Sequence, residues 1–294
     1  MSELNFPIPY RYEKPIAGDY VPKTLKLDDL GNLYNYAQNP YFINVGVDTT
    51  GVLKSTKLFY YCNSMRTVKS LNMPNVTDAT EMFYYCSAVT HISRLELPNL
   101  NKAVNMFSNC QKLLEGPDMD LHNATSVAGM FYYCSALKVV PEYDLSNATD
   151  ITQLFYNCGT LRTVGNLNCK KATSLNNVFY GCSKLRKIGV IECDSINSPG
   201  NWMGYSAMNN MTELGGFRNL GKYQSMSSSA CTGNYFLYVC PNLTKESILN
   251  VLNELYDRAS AGYSTVGLKL HTNHLDKLTD EEKAIATNKG WTLS

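Results

Sequence analysis

The sequence predicts an α/β solenoid, a run of stacked 24-residue units closed by a small α/β cap. Three observations carry this expectation. Six cysteines, Cys62, Cys86, Cys110, Cys134, Cys158 and Cys182, are spaced 24 residues apart. Six phenylalanines keep the same step: Phe59, Phe83, Phe107, Phe131, Phe155 and Phe179. An apolar residue follows each Cys by three (Met65, Val89, Leu113, Leu137, Leu161, Leu185), and another by eleven (Met73, Leu97, Leu121, Leu145, Cys169, Cys193). A unit this short cannot bury its own apolar face, so successive units must share one core.

Within a unit two spacings alternate. Ala79, Met82, Phe83 and Cys86 stand at i, i+3, i+4 and i+7, which predicts the inward stripe of a short helix. Val127, Met130, Phe131 and Cys134 repeat the spacing, as do Ile151, Leu154, Phe155 and Cys158. Leu95 with Leu97, and Tyr143 with Leu145, alternate with polar residues as a strand does. Asn75-Val-Thr77, Asn123-Ala-Thr125 and Asn147-Ala-Thr149 mark a turn, with the threonine placed to cap the next helix. The expected fold is a leucine-rich-repeat-like right-handed solenoid of strand–turn–short-helix units, with a parallel sheet on one face.

The ends depart from the repeat. Residues 1–50 carry no repeat and are rich in Tyr, Pro and Asn, which predicts an N-terminal cap or attachment segment. The solenoid is expected over 51–243. A seventh unit around Met203 to Leu220 loses Phe and Cys, and a degenerate eighth survives as Leu237-Tyr-Val-Cys240. Residues 244–294 read as a C-terminal α/β cap. Thr244 opens a helix bearing Ile248, Leu249, Leu252 and Leu255, and Val266 to Leu270 follows as a strand. Thr279-Asp-Glu-Glu282 is a capping box, Gly290 ends its helix, and Trp291-Thr-Leu closes the chain.

Composition narrows the function. Net charge is +1, from 26 basic and 25 acidic residues, so no general pull on nucleic acid or anionic membrane is expected, and no basic run stands out along the chain. No window reaches the ~18 apolar residues of a membrane span. The N-terminal stretch lacks the basic-then-apolar order of a secretory signal. The expected location is therefore a virion or the cell exterior, with the cytoplasm as the alternative. Tyrosine is abundant, 21 against 10 Phe and 2 Trp, and suits a surface that must be both wet and adhesive.

Units of the form apolar-Phe-x-x-Cys-x-x-Leu, followed by a strand and Asn-Ala-Thr, resemble the BspA-like leucine-rich repeat surface proteins of gut bacteria. The best matches are Met82-Phe-Tyr-Tyr-Cys86, Met130-Phe-Tyr-Tyr-Cys134 and Leu154-Phe-Tyr-Asn-Cys158, and the resemblance covers roughly 52–243. The closing stretch Leu278 to Ser294 also looks like the tails of such proteins from Bacteroides-type bacteria and their tailed phages. The resemblance implies adhesion to surfaces or host components, with no catalytic residues to carry over.

Candidate binding residues lie on two outward faces. Glu96, Asp118, Asp120, Glu142 and Asp144 are expected on the exposed sheet face, where a cation, a basic protein or a sugar could compensate them; a merely solvated polar face is the favoured reading. Tyr60, Tyr84, Tyr132, Tyr156 and Tyr180 form an outer column interrupted by Ser108, and Tyr61, Tyr85 and Tyr133 a shorter one. They suit sugar stacking or protein contact, or simply cover the seam between units. The ladder cysteines share the inward stripe with Phe and are expected as reduced core filler, not metal ligands. Asn75, Asn123, Asn147 and Asn242 match the glycosylation acceptor pattern, which their place in a recurring turn explains without sugar. The four histidines, His91, His122, His271 and His274, form no recognisable catalytic set, although His271 and His274 share the cap with Asp276. The expectation is a non-enzymatic binding protein without cofactor or metal. Its first setting is a phage virion, tail- or fibre-associated; a bacterial surface adhesin and an intracellular scaffold are the alternatives. Expected partners are a protein or glycan at a cell surface, neighbouring virion subunits, or a second copy held through residues 1–50.

Overall fold

The computed structural model describes residues 55–63, 65–68, 70–203, 209–232 and 236–294. The expected segment at 1–50 lies outside the described residues. From Ser55 onward the chain winds into a parallel solenoid with a 24-residue step. Its strands are β1 (Thr67–Val68), β2 (Leu71–Asn72), β3 (His91–Ile92), β4 (Arg94–Glu96), β5 (Asp118–Met119), β6 (Thr163–Val164), β7 (Lys187–Glu192) and β8 (Glu213–Arg218). β1 pairs with β3, β2 with β4 and β4 with β5; further on, β6, β7 and β8 form one sheet. Single bridges continue the ladders where strands are too short to be named, as Glu115–Val139 and Val139–Thr163 do. A separate ladder links Asp78, Lys102, Ser126 and Asp150. Inward residues meet inward residues, as at Leu71–Leu95, and outward meet outward, as at Asn72–Glu96.

The segment expected as a short helix is a string of turns. Met82, Tyr84 and Cys86 donate to carbonyls three residues back, while Ala79, Glu81, Phe83 and Tyr85 donate to Lys102, Val104, Met106 and Ser108 of the next coil. Every backbone donor from Met82 to Cys86 is thereby paired, two of the five along the solenoid axis. Two residues per coil sit at positive φ, five and one before the cysteine: Glu81 and Tyr85, Asn105 and Asn109, Gln153 and Asn157. A right-handed helix cannot contain such residues. Two successive four-residue turns leave Ala79, Met82, Phe83 and Cys86 inward, the same set an amphipathic helix would bury. The threonine caps shift accordingly. Asp78 and Asp150 accept the backbone N–H two residues on, whereas Thr125 and Thr149 donate their hydroxyls to carbonyls of the preceding coil.

Stacking converts the sequence repeat into columns. Successive rings from Phe59 to Phe179 lie 5.0 to 5.7 Å apart and nearly parallel. Trp202 stands edge-on to Phe179 at 5.8 Å and ends the stack, with its indole N–H donated to the Phe236 carbonyl. The cysteines are buried and unpaired. The five ladder cysteines from Cys86 to Cys182 also donate their thiols to the phenylalanine carbonyl of the preceding coil, as Cys86 to Phe59, Cys110 to Phe83 and Cys134 to Phe107, at 3.0–3.1 Å. Cysteine thus fills a small apolar site and supplies a weak donor.

The coil after Cys182 is two residues longer, pairing Lys187 with Glu213. The degenerate unit at Leu237 keeps the turn, Cys240 donating its N–H to the Leu237 carbonyl. The cap follows as α1 (Lys245–Glu254), β9 (Val266–Leu268), α2 (Thr272–Leu275), α3 (Asp280–Thr287) and β10 (Trp291–Leu293), which runs parallel to β9. Thr244 caps α1, and Thr279 with Glu282 forms the expected capping box on α3. α1 lies against β8, where the buried Ser247 hydroxyl donates to the Thr212 carbonyl and accepts from Leu214 N–H. Arg258 is fully buried and clamps the cap to the solenoid end. Its guanidinium donates to the carbonyls of Ser264, Gly221, Tyr223 and Gln224. Four carbonyl dipoles replace the counter-ion such a group would otherwise need.

Candidate functional site

The solenoid positions side chains by rung, so any site is a column crossing several coils. On the strand face Asn72, Glu96, Asp120 and Asp144 point outward, as do Asp118 and Glu142 two residues before the last pair. Each candidate carboxylate is engaged within the chain. Arg94 lies 3.5 Å from Glu96 and 3.8 Å from Asp118. Asp120 accepts from the backbone N–H and imidazole of His122, which together hold its carboxyl below the ordinary range. Glu142 accepts from Asn166 N–H, and Asp144 from Ser146 N–H and the Asn168 amide. The repulsion expected between Asp118, Asp120, Glu142 and Asp144 is therefore relieved locally. Among the described residues, no group of three or more His, Cys, Asp or Glu side chains is arranged to hold a metal ion.

The tyrosine columns stand on the turn face. Tyr60 stacks on Tyr84 at 5.1 Å, Tyr132 on Tyr156 at 4.8 Å and Tyr156 on Tyr180 at 4.6 Å. In the second column Tyr61 stacks on Tyr85 at 4.8 Å. The outer-column rings are half-buried, whereas Tyr61 and Tyr133 are about 40 % exposed. Face-to-face stacking occupies the ring faces within a column and leaves edges and hydroxyls toward solvent. Such edges favour hydrogen bonding and lateral contact over sugar stacking. Partial burial, and after it the neighbouring tyrosines, raise the phenol pKa values of Tyr84, Tyr132 and Tyr156, so all three remain neutral donors at physiological pH. The seam-covering and contact roles coincide in the same rings.

A third outward surface is a shallow open groove over Asn75, Thr77, Asp78, Asn99, Asn101, Lys102 and Asn123. Here the asparagine amides bind the preceding coil: Asn99 donates to the Pro74 carbonyl, Asn123 to Pro98 and Asn147 to His122. Asn242 does the same to Asn209. The nitrogen that would carry a glycan is thus a rung of the ladder at three of the four acceptor sequences, which accounts for their recurrence.

These columns and the coil that carries them define a repeat protein whose chemistry lies on its outer surface. The chain belongs to the family described as "Mycoplasma protein of unknown function, DUF285", which matches residues 28–140 and 91–192, together more than half of its length. No curated protein and no solved structure matched it. None of the helices among the described residues is long and apolar enough to cross a membrane.

Proposed function

We propose that this chain is a non-enzymatic adhesion protein that binds through the outer columns of its solenoid. The observation that carries the reading is the paired tyrosine ladder. Two of its rings, Tyr61 and Tyr133, are among the five exposed large hydrophobic side chains of the described residues, together with Leu114, Val139 and Tyr223. Tyrosine is the residue type that gives most binding energy for least ordering cost at a wet interface. The groove is shallow and the thiols are buried, which supports recognition over catalysis.

The setting we favour is attachment to a surface, as the likeness to BspA-like proteins implies. A family named from mycoplasmas supports display by a bacterial cell. The closing stretch Leu278 to Ser294, with its resemblance to phage-borne proteins, supports a tail- or fibre-associated virion component as the second reading. The test is binding of the purified full chain to immobilised bacterial and animal cell-surface preparations, read by interferometry. The double variant Y61A/Y133A is expected to lose most of the signal while its melting temperature stays within a few degrees. Undiminished binding by this variant, or none by the parent chain to any preparation, would sink the proposal.

A further inference from the structure

The charged columns of the solenoid differ in one respect. Glu96, Asp118, Asp120, Glu142 and Asp144 on the strand face each have a partner beside them. A column of cations four residues after the ladder cysteines has no such partner. Lys138, Arg162 and Arg186 occupy successive rungs of this column, and the backbone ladder fixes them there: Arg162 N–H donates to the Lys138 carbonyl and Arg186 N–H to the Arg162 carbonyl. All three are exposed. Among the described residues no carboxylate lies within 4.0 Å of any of them, although the same distance captures Lys57–Glu81, Lys170–Glu192, Lys187–Glu213 and Lys222–Asp194. Lys184, also exposed and unpaired, stands two residues before Arg186. The next column holds two carboxylates near the stripe: Glu115, which has no ion pair among the described residues, and Glu213, which pairs with Lys187 at 2.8 Å.

Parallel rungs lie about 4.8 Å apart, so the stripe sets three like charges side by side at a spacing that is unfavourable without a compensating anion. The linear sequence hides this, because the three residues are 24 apart and net charge is only +1. The exposed apolar side chains of Leu114 and Val139 border the stripe: Leu114 holds the preceding rung of the same column, and Val139 adjoins Lys138. Cations in single file beside exposed apolar groups match a linear polyanion laid along the axis, one charge to a rung.

We propose that Lys138, Arg162 and Arg186 form a binding surface for an acidic polysaccharide, with sulfate or carboxylate groups meeting successive rungs. This rests on the adhesion reading above and names its partner class. Extended sugar chains advance by a step comparable to the rung spacing and carry anions on a saturated ring that packs on aliphatic side chains. Single-stranded nucleic acid calls instead for aromatic platforms interleaved with the cations, and the column from Arg66 to Arg186 contains none: its members are Arg66, Thr90, Leu114, Lys138, Arg162 and Arg186.

The experiment uses the full chain with heparin, polygalacturonate, a poly-dT oligonucleotide and vesicles of phosphatidylglycerol as separate probes, each titrated at several salt concentrations. The expected result is binding to at least one acidic polysaccharide that weakens steeply with salt, as counter-ion release requires. The triple variant K138Q/R162Q/R186Q loses about tenfold or more in affinity with a shallower salt slope, whereas R94Q, which removes a compensated cation, changes it less than about twofold. Far-ultraviolet circular dichroism and melting temperature confirm that both variants fold. Absence of polysaccharide binding at low salt, or equal binding by the triple variant, overturns the proposal. Tighter binding to the oligonucleotide or the vesicles than to either polysaccharide also overturns it and assigns the stripe to that partner. If the chain adheres to cells and only the tyrosine variant matters, the stripe proposal fails while the adhesion reading stands.

Discussion

Replacing Phe131 by alanine tests the core of the solenoid. Phe131 is fully buried and stacks on Phe107 at 5.4 Å and Phe155 at 5.7 Å, with Tyr143 at 6.2 Å. Truncating a buried Phe costs about 3–5 kcal/mol in transfer and cavity terms. Loss of two stacked pairs adds roughly 0.5–1.5 kcal/mol for each. The cavity cannot close by collapse, because the inter-coil backbone bonds of Phe131 to Leu154 and of Phe107 to Met130 hold the spacing. The expected loss is therefore about 5 kcal/mol, toward the upper end of single core substitutions. Each coil contacts only its neighbours, so the break also uncouples the units on either side, and the denaturant dependence is expected to become shallower. Tyr132→Ala is the control. Its ring is half-buried and stacks within its column on Tyr156 alone, so about 1–2 kcal/mol is expected. Urea unfolding followed by circular dichroism measures both. A Phe131→Ala cost below about 2 kcal/mol, or one equal to that of Tyr132→Ala, would refute the inward column and the turn geometry that creates it.

Three further outcomes follow from the same geometry. All ten cysteines are buried, and burial pushes the Cys182 and Cys240 thiols up to about 12; none is expected to react with a thiol reagent in the native state, and all ten in denaturant. Gly181 has φ +75°, and a Cβ there would lie 1.9 Å from Asn157 Oδ1, so Gly181→Ala is expected to cost about 2 kcal/mol or more; Gly159→Ala, whose Cβ meets nothing closer than 4.0 Å, is the mild comparison, and thermal melts decide between them. His274 is buried, donates Nε2–H to the Cys240 carbonyl and has no partner for Nδ1 among the described residues. Burial lowers its pKa from the ordinary 6.5, with Lys277 and His271 adding to the effect against the Cys240 bond. A lowered folded value means that the unfolded chain takes up the proton first. The stability from neutral His274 is thus complete above about pH 6.5 and declines as pH falls from there to the folded value. Unfolding midpoints between pH 8 and 5 should show this decline, and His274→Gln should flatten it.

The 24-residue step reaches directly from sequence to fold, because a ladder of identical positions has one way to bury itself. Phe131 and Cys134 were legible as core, Glu96 and Asp120 as outward, and Thr279 with Glu282 as a helix start, each from local spacing. The helix expected at Ala79 to Cys86 was not there. Inward positions at i, i+3, i+4 and i+7 arise equally from two consecutive turns, and only backbone dihedrals distinguish them. A residual signal existed in the Asn and Gly at Asn105, Asn109, Gly129 and Gly181, types that tolerate positive φ, but Tyr85 and Gln153 at equivalent places concealed it.

Sequence alone determined the repeat, its inward and outward faces and the change of character at Thr244. Only the tertiary structure decided what each outward residue meets, because its neighbour is 24 residues away and the contact depends on side-chain reach. Asp118 is compensated by Arg94 and Asp144 by Asn168, while Lys138, Arg162 and Arg186 face one another without a counter-ion among the described residues. Arg258 shows the same limit: no local pattern announces a buried cation, since the carbonyls that hold it come from Gly221, Tyr223 and Gln224, brought close only when the cap folds over the last coils. Periodicity encodes which way a side chain points. Electrostatic balance is a property of the stack, and it exists only after the coils have closed.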